Sequence, residues 1–231
     1  MPEKIITFVL FAFLLVVNSR GQMFLADVKF DKVNEVAVEA YVARQIKNDK
    51  QTFLDVKPSL TPKSSTDGFC FHEREYVVRD SLNKVWNYYV HTNPGDAWNA
   101  GKLGFGILFS KEKNELVYAD DKVDKIEPGQ VVYLNLCLLK IKNIATAFEI
   151  IKVDDRESII EFSYLDDNTT LGKQQLNFIE TPKGDTKIVH RSFFKSESVL
   201  RDHFLYPYFH TRLTNTYHRN MKRMYKKSQI R

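Results

Sequence analysis

The stretch from Leu103 to Phe194 constrains the fold most, because it reads as strand after strand with no helical pattern between. Seven segments in it are apolar or alternating, and rich in β-branched and aromatic residues: Leu103–Ser110, Glu115–Ala119, Gln130–Lys140, Ala145–Val153, Ser158–Tyr164, Leu171–Glu180 and Thr186–Phe194. Their separators, such as KVDDRE, DDNT and PKGD, carry turn-forming residues, which suits antiparallel hairpins and meanders.

Helical patterns flank this run. Before it, Phe69–Val78 reads as one more strand, and Asp80 or Ser81 can cap a helix, SLNKVWNYYVH, in which Leu82, Val85, Trp86 and Tyr89 share a face. A short helical segment, PGDAWNAG, follows and ends at glycine. After the run comes LRDHFLYPYFHTRLTNTYHRNMKRMYKK, with a turn and then a helix starting near Pro207, a residue favoured in the first helical turn. Phe209, Leu213, Tyr217 and Met224 recur at helical spacing and form the face expected on the sheet; His210, Thr214 and His218 form the neighbouring stripe. Eight residues separate His210 from His218, roughly 12 Å along a helix axis, which is too far to share one zinc ion.

A strand, two helices, a run of antiparallel strands and one long final helix make an α+β order in which a curved antiparallel sheet wraps around the C-terminal helix. With the segment EFSYLDDNTTLGKQQLNFIE, this order resembles the helix-grip fold of the START and Bet v 1-like superfamily, which includes polyketide cyclases and lipid-transfer domains, and within it an uncharacterised bacterial branch. The resemblance spans roughly Phe69–Lys227. It implies a cavity between sheet and helix, and no reaction, because the superfamily has no shared catalytic motif.

The amino-terminal third divides differently. Lys4 precedes Ile5–Val17, apolar except for Thr7, and Ser19 and Gly21 stand at plausible cleavage positions, so residues 1–21 read as a signal peptide and the chain as exported, periplasmic or secreted. The run is short of the roughly 20 residues that a membrane-spanning helix needs. Residues 22–67 read as an extension with one amphipathic helix over 31–49, capped by Asp31, and the connector KPSLTPKSSTDG; residues 68–228 form the main domain.

The formal charge of +5 includes Glu3, Lys4 and Arg20, so loss of residues 1–21 removes +1 and leaves +4. The surplus sits in Arg219, Lys222, Arg223, Lys226, Lys227 and Arg231, a solvated helix end and a candidate for weak membrane-surface contact. Export argues against a nucleic-acid partner. The two cysteines, Cys70 and Cys137, lie in strand-like settings and are too few for a disulfide scaffold.

Alternation within the strands selects candidate pocket residues. Ser158, Ile160, Phe162 and Tyr164 form the more apolar face of one strand, and Ile188, His190, Ser192 and Phe194 one face of another. With these faces inward, Ile160, Phe162, Tyr164, Ile188 and His190 line a cavity closed by Phe209, Leu213 and Tyr217. His190 then needs a hydrogen-bond partner, Tyr164 or a ligand, and Glu161 or Arg191 are further orienting groups. No hydrolase, metalloprotease or paired-cysteine motif occurs, and no cofactor or metal is expected. The GFG of residues 104–106 marks a sheet bend or a close approach by a helix. Asn168-Thr169-Thr170 matches a glycosylation acceptor in a turn. Three functions fit: a binding protein for an apolar small molecule or lipid, a cyclase- or hydrolase-like enzyme with His190 as acid or base, and an envelope protein with a filled core.

Overall fold

The structure, a computed structural model, describes residues 21–138 and 142–230, so the expected signal peptide lies outside the described residues. Eight strands form one antiparallel sheet: β1 Cys70–Val78, β2 Leu103–Ser110, β3 Glu115–Val117, β4 Gln130–Leu138, β5 Lys142–Asp154, β6 Ile159–Tyr164, β7 Leu171–Glu180 and β8 Thr186–Lys195. Their spatial order is β1-β8-β7-β6-β5-β4-β2-β3. From β4 to β8 each strand pairs with its successor, as turn-linked meanders should. The long-range pairing joins β1 to β8, from Cys70 opposite Phe194 to Val78 opposite Thr186.

Helices α2 (Leu82–His91), α3 (Pro94–Ala97) and α4 (Tyr206–Ser228) pack on the concave face. Asn93 caps α3 by accepting the Gly95 N–H, and Pro94 occupies its first turn. Before α4 the chain makes a wide turn of π-type helix, Arg201–Leu205, and Pro207 falls in the first turn of α4, where its missing N–H has no helical partner to lose. Tyr217, Met221 and Tyr225 of α4 join Trp86, Phe148, Phe162, Phe178 and Ile188 in the concave core. Each such side chain contributes on the order of 1.5–3 kcal/mol when fully buried.

Helix α1 (Val36–Lys47) and the segments around it build a second core on the convex face. Val38, Tyr41 and Val42 of α1, with Leu25, Phe53 and Val56, cover Ile107, Phe109, Val131, Tyr133 and Ala147. The connector is also tied down, with Pro58 bridging to Leu165 and Ser59 N–H donating to Tyr164 O. The extension is therefore a layer of the same body. Helix α1 starts five residues later than Asp31, and it buries Val38, Tyr41, Val42 and Gln45 while Val36 is exposed. Of the apolar residues near helical spacing over 31–49, Val33 and Tyr41 are buried while Val36, Ala40 and Ala43 are exposed, and the buried face instead takes in Gln45, whose side chain accepts from the Tyr133 hydroxyl.

The GFG segment does both things expected of it. The β2–β4 register shifts between Phe105 and Ile107, and a Cβ at Gly106 would stand 2.8 Å from both Val38 methyls. Glycine in β2 lets α1 lie directly on the sheet.

Candidate functional site

Between the sheet and α4 lies a pocket of about 60 Å³. Its apolar wall comes from Trp98, from Leu103, Leu134 and Leu136 of β2 and β4, and from Phe148 and Phe162 of β5 and β6. Leu213 and Tyr217 of α4 close it, and Trp98 stacks on Tyr217 with ring centroids 4.1 Å apart. One end is polar, formed by Tyr164, Gln174, His190, His210 and Thr214.

Of the eight residues expected to line a cavity, Phe162, Tyr164, His190, Leu213 and Tyr217 do so. Ile160 and Ile188 face the same side and are buried in the concave core away from the pocket. Phe209 is half-exposed and packs edge-on against Tyr208, so the α4 face differs from the expected one. The buried face runs through His210, Thr214, Tyr217, His218, Met221 and Tyr225. This polar stripe turns inward because the sheet opposite it supplies hydrogen-bond partners, which removes most of the desolvation cost. Glu161 and Arg191 point to the other face, where Glu161 accepts from Gln175 and pairs with Lys173, and Arg191 pairs with Glu73.

The polar end continues as a network that the spacing of histidines along α4 did not reveal. His190 Nε2 lies 2.6 Å and His210 Nε2 2.9 Å from Gln174 Oε1. Gln174 Nε2 donates to the Tyr164 hydroxyl, which is 2.8 Å from that of Tyr206. On one side His190 Nδ1 meets His218 Nε2 at 3.0 Å, and His218 Nδ1 meets the Tyr89 hydroxyl at 3.2 Å. On the other, His210 Nδ1 meets His72 Nδ1 at 3.3 Å, and His72 Nε2 meets the Thr211 hydroxyl at 3.0 Å.

Gln174 dictates the protonation pattern. Its oxygen accepts, so His190 and His210 carry their protons on Nε2 and accept at Nδ1, from His218 Nε2–H and His72 Nδ1–H; Tyr89 and Thr211 then donate to the outer nitrogens. Turning the Gln174 amide by 180° reverses every bond and leaves each satisfied. In both directions each of the four imidazoles carries a single proton and is neutral. Burial first, and then the neighbouring imidazoles, push His190 and His210 well below the ordinary histidine range; burial and His210 lower His218 to about 3. Burial raises Tyr164 to about 12, so it remains a phenol.

Rings hold the network in place. Tyr76 stacks on His218 at 3.9 Å between centroids, and Tyr206 lies between Phe194 at 3.7 Å and His210 at 4.9 Å. Among the described residues, no group of three or more His, Cys, Asp or Glu side chains is arranged to hold a metal ion. Cys70 and Cys137 are free, on β1 and β4 with four strands between them. Asn168 turns its amide inward, donating to Ala147 O and accepting from Tyr41, so its side chain is not presented as a glycosylation acceptor.

The architecture is a helix-grip fold, a curved antiparallel sheet wrapped around α4. No family model matches the chain, and no curated relative does. Among solved structures, KanY protein (ms6282) is similar at a TM-score of 0.50 with 7% identity, covering 69% of this chain and 99% of that one. Ara h 8.0201 is similar at 0.49 with 11% identity, covering 69% of this chain and 99% of that chain. Protein NE0264 from Nitrosomonas europaea is similar at 0.49 with 11% identity, covering 71% and 99%. Identities this low establish the fold alone.

Proposed function

We propose that this chain is an exported binding protein that holds an apolar small molecule between its sheet and α4. The observation that carries the reading is the composition of the pocket, an aromatic and aliphatic wall that includes one threonine, Thr146, beside a hydrogen-bonded polar cluster of Tyr164, Gln174, His190 and His210. Ligand sites are built in this way, with few polar contacts to set orientation. Helix-grip proteins as a class bind small hydrophobic ligands, which agrees with that wall. Export rests on the run Ile5–Val17 followed by Ser19 and Gly21.

The resting pocket, about 60 Å³, is far below the roughly 300–1,000 Å³ of a drug-sized site. It takes the end of a small molecule, and a lipid chain would enter only with movement of the half-buried Leu136 and Leu213. An enzymatic reading has less support, because His190 uses both ring nitrogens on His218 and Gln174 and offers no free base to a substrate.

Native mass spectrometry of protein purified from its own source tests the proposal, with solvent extraction to identify what it retains. A stoichiometric apolar molecule is the expected result. A chain that comes through without adducts, and that takes up none from a mixture of small apolar compounds, would refute it.

A further inference from the structure

We propose that the entry to α4 is a docking surface for an anionic lipid bilayer. Fourteen large hydrophobic residues are exposed among the described residues, and five of them fall within residues 199–208: Val199, Leu200, Phe204, Leu205 and Tyr208. Val199, Leu200 and Phe204 are 74%, 62% and 66% exposed. Scattered exposed hydrophobics need no explanation, but a cluster of this size on one short segment does.

The arrangement suits a lipid surface better than water. Leu200, Phe204, Tyr208 and Arg212 follow one another at four-residue intervals, so they lie along one stripe from the wide turn into α4. The Arg212 guanidinium sits 4.2 Å over the Tyr208 ring. Aliphatic and phenyl groups, then a tyrosine, then an arginine, is the order in which side chains sort from acyl chains to headgroups. Lys195 and Arg201 flank the apolar residues; Glu197 is the opposing charge, and the carboxylate of Asp202 is buried. The balance is cationic, which complements anionic lipid.

The segment is tied to its surroundings by hydrogen bonds. Asp202 accepts from Ser196 N–H at 2.9 Å and from the Ser196 hydroxyl at 2.7 Å, and Arg201 donates to Thr169 O at 3.3 Å. None of the exposed side chains is needed for the concave core. No helix among the described residues is long and apolar enough to cross a membrane, so the mode is interfacial. Docking would set the bilayer against the His210 end of the pocket, and it does not depend on the pocket being occupied. The basic end of α4, at Arg219–Lys227, takes no part.

The test uses the full chain with Phe204→Trp, mixed with vesicles of phosphatidylcholine alone or with phosphatidylserine, some brominated in the acyl chain. Relative to the parent, the added fluorescence should shift to the blue and be quenched by bromine on the phosphatidylserine vesicles. Leu200→Ser with Phe204→Ser should lower vesicle partitioning by tenfold or more, on the order of two buried side chains. Lys226→Ala with Lys227→Ala should leave it unchanged. Added fluorescence that stays unquenched while the chain sediments with vesicles would overturn the proposal, placing contact elsewhere. So would Phe204→Trp or the double serine variant changing self-association or partner-protein binding and not partitioning.

Discussion

His190 Nδ1 lies 3.0 Å from His218 Nε2, a contact that survives only while one nitrogen carries a proton and the other does not. Adding a proton to either ring sets two donors against each other at the centre of the concave core. The same holds for His210 and His72, and all four rings end on one amide, that of Gln174, or on hydroxyls.

Acid should therefore loosen the protein before its carboxylates titrate. Folded pKa values depressed below the unfolded ones mean that the unfolded chain binds more protons, so the stability held above the ordinary histidine value is lost as pH falls. The window opens near 6.5 and, for His218, extends to about 3. Each buried histidine contributes a slope of about 1.4 kcal/mol per pH unit within it. Thermal melts should be flat from pH 8 to about 7 and then fall steeply. A melting temperature unchanged between pH 6.5 and 5 would show the rings to be charged or solvated in the folded state.

Gln174 should behave as the hub of that network. Gln174→Leu leaves the His190 Nε2–H unpaired, at a cost of about 1–3 kcal/mol, and leaves His210 Nε2 with the Ser192 hydroxyl at 3.1 Å as its remaining partner, so a loss of stability in that range is expected in denaturant titration. Gln174→Glu keeps the acceptor and adds a charge that favours imidazolium, so its stability should decline less on acidification than the parent's. Parallel pH profiles for the two proteins would disprove the hub role.

The sequence made the sheet legible because alternation and turn chemistry are local. Each strand from β1 to β8 lies where its pattern placed it, and His190 was placed inward because Ile188, Ser192 and Phe194 share its face. The partners of His190 were not legible. Gln174 sits on the neighbouring strand, two residues away from Leu176, which stands opposite His190, and His218 comes from α4; both depend on register and helix rotation. Rotation was misjudged because the inward stripe of α4 carries His210, Thr214 and His218, whose burial is favourable only once the sheet provides acceptors and donors. The convex layer was hidden for a related reason, since Gly106 and Val38 meet only in three dimensions.

That convex contact gives a further expectation. Gly106→Val places its Cβ against the Val38 methyls at 2.8 Å and 3.1 Å from Tyr133 O, so α1 must shift, at a cost of about 1–3 kcal/mol. Deleting residues 22–67 should be worse, because it uncovers Phe109, Val131 and Tyr133. A deleted chain that stayed monomeric and melted cooperatively near the parent temperature would show the extension to be dispensable.

Two substitutions at the pocket should part stability from binding. His190→Ala removes a ring that serves both His218 and Gln174, so it leaves buried polar groups unpaired as well as a cavity. A loss of about 2–4 kcal/mol and a melting point several degrees lower are expected, with the affinity of the folded fraction for a naphthalene-based apolar fluorophore changed only a few-fold. Leu213→Phe works the other way, because Leu213 is half-buried at the pocket wall and a larger ring there can occupy a space of about 60 Å³ without displacing the core. Its melt should stay close to the parent's while probe binding weakens by about tenfold or more, the worth of losing one good apolar contact surface. Fluorescence titration beside differential scanning calorimetry reads both quantities on the same samples. If His190→Ala abolished probe binding at unchanged stability while Leu213→Phe did nothing to it, the molecule would be held by the imidazole and not by the apolar wall, and the binding site would have to be redrawn around the histidine network.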